Sequence, residues 1–134
     1  MNKPTPIDEE IVLDPRRYIV SETDEKGKIT FCNDYFIEVS GYTKEELIGK
    51  PHSIVRHPDM PKAAFKGLWD TVKSGKVGDG YVKNKTKDGG YYWVYATVYP
   101  TYDEVTRVKT YMSCRRKPSA EEIAESEALY KTLN

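Results

Sequence analysis

The stretch IVRHPDMPKAAFKGLWD, residues 54–70, sets Arg56, His57 and Asp59 just ahead of an apolar helical face that ends in Trp69. A guanidinium can bridge phosphate oxygens in pairs or stack on an aromatic ring. Amides at a helix start favour anions at the same place. Phe65 and Trp69 add flat apolar walls of the kind ring-shaped ligands occupy. One reading is a pocket for a charged aromatic ligand. The plainer reading is a solvated arginine, a histidine bonded to backbone, two core aromatics and an Asp59 that caps the helix.

The elements that would position these residues follow from periodicity. Met60, Ala64, Leu68 and Val72 recur every four residues with Phe65 and Trp69 alongside, which predicts a helix laid on a core. Pro61 is tolerable only in the first turn, so that helix should start near Asp59, and Gly75 should end it. Tyr18-Ile19-Val20 and Ile29-Thr30-Phe31 read as a hairpin around Asp24-Glu25-Lys26-Gly27. Asn33 and Asp34 can cap a short helix closed by Gly41, and Thr43 with Glu46 has capping-box spacing. Residues 80–86, 91–99 and 107–115 are strand-like, joined by a turn at 87–90 and a loop at 100–106. In the middle strand Tyr92, Val94, Ala96 and Val98 share one face, which turns Trp93 to the other. Ser119 and Glu122 open a C-terminal helix. The order is α+β, with helices gathered beside an antiparallel sheet.

Composition narrows the function. The 134 residues carry 21 Lys plus Arg against 21 Asp plus Glu, which gives no global attraction to nucleic acid or an anionic membrane. No apolar run has the length of a membrane helix, and the N-terminus is too acidic for a signal peptide. Cys32 and Cys114 form no CxxC pair, so zinc is not expected and a reducing compartment is. No GxGxxG follows a strand. The HPD tripeptide of residues 57–59 is shared with J-domain co-chaperones, but the flanking strands set that match aside.

The stretches NDYFIEVSGYTKEELIGKPH, VRHPDMPKAAFKGLW and VKNKTKDGGYYWV resemble the PAS domain of bacterial aerotaxis receptors, over residues 18–134. The resemblance implies a PAS fold: a five-stranded antiparallel sheet, short helices on one face, an N-terminal cap over 1–16, a sensor domain over 17–117 and a signalling helix over 118–134. It implies FAD held non-covalently between sheet and central helices, with Asn33, His52, Arg56, His57, Asp59, Phe65, Trp69 and Asn84 supporting it. Asn84 would face the ring, where a carboxamide offers both donor and acceptor to the pyrimidine edge. Flavin redox state would pass to a chemotaxis transducer, through a HAMP or signalling domain in cis or in trans, or through a PAS homodimer. The location would be cytoplasmic, including the cytoplasmic sensor of a membrane-anchored receptor, and no enzymatic turnover is expected. A cofactor-free or haem-binding docking module is the alternative. The light-sensing relatives need a cysteine on the helix facing the flavin, and none stands in HSIVRHPDMP. Gly78 departs from the family, which usually has tryptophan there; loss of that ring is expected to open the pocket, alter adenine packing or weaken affinity.

Overall fold

Strict alternation in one long strand organises the molecule. Strand β4 (Tyr91–Asp103) turns Tyr92, Val94, Ala96 and Val98 into the core, all nearly fully buried. The opposite face carries Trp93 and Tyr95. The computed structural model describes residues 8–133; the first seven residues of the expected N-terminal cap, and Asn134 at the end of the expected signalling segment, lie outside them. Strands β1 (Ile19–Asp24), β2 (Ile29–Cys32), β3 (Gly78–Lys85) and β5 (Val108–Arg116) complete a five-stranded sheet of order β2-β1-β5-β4-β3, antiparallel throughout. This is the expected α+β architecture. Helices α1 (Asp34–Ser40), α2 (Lys44–Leu47) and α3 (Lys62–Lys73), with a 3₁₀ turn over His52–Val55, connect β2 to β3 across the inner face.

The local signals work as the sequence predicts where they are self-contained. Asn33 caps α1 by accepting from the Phe36 amide, and Gly41 ends it in the left-handed region at φ 78°. Thr43 with Glu46, and Ser119 with Glu122 at the head of α4 (Ala120–Lys131), each close a reciprocal capping box. Helix α4 lies on the outer face, where Tyr130 stacks on Trp93 at 6.2 Å and donates to the Tyr81 carbonyl at 2.5 Å.

Two of the boundaries that differ have a local cause. Strand β4 runs through Pro100 to Asp103 rather than ending before a loop, since proline's φ suits extended backbone and Thr101 bonds Thr110 across the pair. Helix α3 starts at Lys62, not near Asp59. Pro61 holds the capping position in extended backbone and no side chain caps the helix. The residue before a proline is kept out of the helical region, which bars Met60 and moves the start past Asp59.

Gly78 is where α3 meets the sheet. A Cβ there would come within 2.8 Å of both Leu68 Cδ1 and Val72 Cγ2. The space beside this glycine is filled by the helix, so the pocket is not opened at that point. Gly78→Ala should destabilise the fold by about 1–3 kcal/mol through overpacking. A thermal melt checks this: a drop of several degrees is expected, and an unchanged midpoint would contradict the close approach.

Candidate functional site

Helix α3 is amphipathic, yet Val72 is its only fully buried side chain among the described residues. Phe65, Leu68 and Trp69 are half-buried: each packs on core residues on one side and borders a cavity of about 500 Å³ on the other. That size lies within the range of small-molecule sites. Val82, Ala96, Val98, Tyr111 and Ser113 of the inner sheet face form the opposite wall. Trp69 meets Tyr111 edge-on at 4.8 Å, and the Arg56 guanidinium sits 5.3 Å from the Phe65 ring centre.

Polar groups enter this space at three places. Asn84 is 3% exposed and lines it from β3, where the backbone of Arg56 bridges to the strand beside it. Near it the Tyr92 hydroxyl is buried without a hydrogen-bond partner among the described residues; Asn84 is near, but the geometry falls short of a bond. Burial pushes the Tyr92 pKa up to about 12. At a second place stand His52 and Arg115. Arg115 Nη1 lies 2.8 Å from His52 Nε2, and its Nη2 donates to Ser21 Oγ at 2.7 Å. Arginine can only donate, so Nε2 accepts from it and the ring proton sits on Nδ1; the Ser21 hydroxyl, 3.1 Å away, competes for the same Nε2 lone pair. Third, the exposed cations Lys26, Arg56, Lys62 and Lys66 stand at the rim. No carboxylate lines the cavity among the described residues.

Of the eight residues expected at a site, the fold gathers His52, Arg56, Phe65, Trp69 and Asn84 around this cavity and leaves three outside. Asn33 is committed to backbone: its Oδ1 accepts from the Val20 and Phe36 amides and its Nδ2 donates to the Tyr18 carbonyl. It ties β1 to α1. His57 follows Arg56 in extended chain and so points the other way. Its Nδ1 accepts from the Asp59 amide at 3.0 Å, and its ring lies edge-on to Tyr91 at 6.3 Å. Asp59, expected as the cap of α3, instead accepts from Lys83 Nζ at 3.1 Å. Any effect of these three on a ligand runs through the loop and strands they hold. Sequence reasoning missed Arg115, Ser113 and Tyr111. The available signal was the period of two along β5, which turns all three inward.

An inner sheet face that is partly polar, with a hollow between it and a half-buried helix, is the build of a sensory domain of the PAS type. The family profile of the PAS fold matches residues 29–114, and the chain belongs to that family. Over 87% of its length the chain is 51% identical to the aerotaxis receptor of Escherichia coli K12, of which it spans 23%. It is 24% identical to the nitrogen fixation regulatory protein of Klebsiella pneumoniae, covering 72% of this chain and 20% of that one. The chain thus spans less than a quarter of either relative. Among solved structures it resembles the PAS domain of a Colwellia psychrerythraea protein, with a TM-score of 0.67 and 23% identity over 75% of this chain and 86% of that one. The light-state LOV domain of the blue-light photoreceptor Aureochrome1 matches with a TM-score of 0.69 and 18% identity, over 86% and 87% of the two chains. These two likenesses show the fold.

His52 has a consequence for pH. Its ring is partly buried at the cavity wall, and desolvation there, with the Arg115 cation beside it, pushes its pKa down from 6.5 to about 3. The unfolded chain therefore takes up this proton first as pH falls. Stability is full above about 6.5 and is lost progressively down to about 3. Between pH 7 and pH 5 the loss assigned to His52 is about 2 kcal/mol. Denaturant unfolding of the wild type and His52→Gln at the two pH values measures it. The variant should lose less stability than the wild type on acidification, and equal losses would contradict the partly buried neutral ring.

Proposed function

We propose that the chain is a redox-sensory PAS module that binds FAD non-covalently and passes the flavin's redox state to a chemotaxis signalling domain, in cis or in trans, on the cytoplasmic side of the cell. The observation that carries this reading is the cavity itself. It is roomy, flanked by Phe65 and Trp69, floored by Asn84 and rimmed by cations without a carboxylate among the described residues. The 51% identity with an aerotaxis receptor supports the same direction.

The residues suit such a ligand chemically. Bound there, a flavin would supply reversible uptake of electrons and protons. Asn84 can both donate to and accept from the alternating carbonyl and N–H groups of a pyrimidine edge. Phe65, Leu68 and Trp69 keep water from the ring system. Lys26, Arg56 and Lys62 suit a phosphate-bearing tail, Lys66 being paired with Asp70 at 2.6 Å, and the two phosphates of FAD make better use of several cations than one phosphate does. His57 supplies no iron ligand to the cavity, because its ring is turned to Tyr91. The output would leave through α4, which grips the outer face by Tyr130 on Trp93, one residue from the inward Tyr92 and Val94. A change at the inner wall would reach that helix through a single strand.

An absorption spectrum of the purified protein, with chromatography of what it releases on denaturation, tests the reading. Flavin bands and about one FAD per chain are expected. A colourless protein that takes up no added flavin, or a Soret band, would contradict it. Asn84→Ala should weaken FAD binding by about tenfold or more while the fold stays intact. Unchanged affinity would remove Asn84 from the site.

A further inference from the structure

The hydroxyl of Tyr92 is polar, buried and unused by the fold. The residue is 0% exposed on the inner face of β4, and its hydroxyl has no hydrogen-bond partner among the described residues. Burial pushes its pKa up to about 12, so it keeps its proton and remains a donor at neutral pH. A phenylalanine would fill the same space, and a buried hydroxyl without a partner costs stability. Packing alone does not account for the oxygen.

Its neighbours do. Tyr92 pairs directly with Asn84 across β3 and β4, and both residues are buried. Asn84 stands on the cavity wall, and Tyr92 lies behind it, off the wall. A carboxamide can lead with its donor or its acceptor, and its surroundings must choose between them. For Asn33 three bonds to backbone make that choice. For Asn84 the group beside it is the Tyr92 hydroxyl. The Arg115 cation also acts on that hydroxyl, and it draws the oxygen rather than the hydrogen toward itself. A guanidinium carries donors only, so the hydroxyl hydrogen cannot be spent there. The acceptor left for it is Asn84 Oδ1.

We propose that Tyr92 is a positioning residue: its O–H donates to Asn84 Oδ1 when a ligand is bound, which turns Asn84 Nδ2 to the occupant and selects a ligand edge that leads with an acceptor. This rests on the flavin reading, and it assigns Asn84 to a carbonyl oxygen of the pyrimidine edge rather than to its N–H. The bond is short of closure in this structure, and polar contacts of this kind tighten when a ligand draws the partners into line. Tyr92 touches no ligand itself and acts through Asn84. A closed bond also ties β3 to β4 beside Trp93, the ring on which Tyr130 of α4 stacks.

The test is a double-mutant cycle of wild type, Tyr92→Phe, Asn84→Ala and the double variant. Three quantities are read: melting of the flavin-free protein, FAD affinity by fluorescence titration, and the carbonyl stretching bands of bound FAD by infrared spectroscopy. Tyr92→Phe should melt no lower than wild type without flavin and bind FAD about fivefold more weakly. It should also raise the frequency of one flavin carbonyl band, because that oxygen loses a well-aligned donor. In the Asn84→Ala background the same substitution should change affinity by less than about twofold. An equal loss in both backgrounds, or no loss in either, would overturn the positioning role while leaving flavin binding standing. An unmoved carbonyl band would overturn the assigned direction of the amide. A Phe variant that melts lower without flavin would mark the hydroxyl as structural and overturn the proposal too. A wild type that binds no FAD would overturn the functional reading and this inference together.

Discussion

An arginine is held inside this molecule without a paired carboxylate among the described residues, and much of the site is arranged around that fact. Transfer of a guanidinium out of water is tolerable only with its donors engaged and its charge answered. The fold engages two of three nitrogens and answers none of the charge: Ser21 comes from β1, His52 from the 3₁₀ turn, and Phe36 from α1 supplies a ring face. Burial, reinforced by the same cation, keeps His52 neutral. The inner face of the sheet is thereby polar where a closed core would be apolar.

Helix α3 is the other half of the constraint. Its apolar stripe is long enough to seal a core, yet its rings stop at the cavity wall, and only its last turn packs fully home. Gly78 allows this. With no side chain at that position, Val72 and Leu68 seat against the strand, and the helix pivots from a closed C-terminal end toward an open N-terminal end where Lys62, Lys66 and Arg56 stand. A fixed hinge line at one end and a charged mouth at the other give a hollow of defined depth.

Most of the architecture was legible because its signals are local. Capping boxes at Thr43 and Ser119, the glycine stop at Gly41 and the alternation of β4 depend on residues within a few positions of one another. The readings that failed depended on one neighbour or on distance. Asp59 has the right chemistry for a cap, but Pro61 forbids the helix from reaching back to it. His57 stands beside Arg56 in sequence, and extended backbone sends the two to opposite sides. Asn33 was legible as a cap, and the rest of its amide is spent tying β1 to α1. Arg115 pairs with Ser21 across 94 positions, and no window on the chain reveals such a contact.

The central physical claim is that the hollow between β3–β5 and α3 is the binding site and that Asn84 is a polar contact within it. The most direct measurement is a ¹⁵N-correlated NMR spectrum of the backbone amides and the side-chain Asn amides, recorded with and without one equivalent of FAD. A large shift is expected at the Asn84 side chain, with the Asn33 amide unmoved because its bonds are all to backbone. Shifts confined to the outer sheet face and α4, with Asn84 unchanged, would place the ligand elsewhere and contradict the claim.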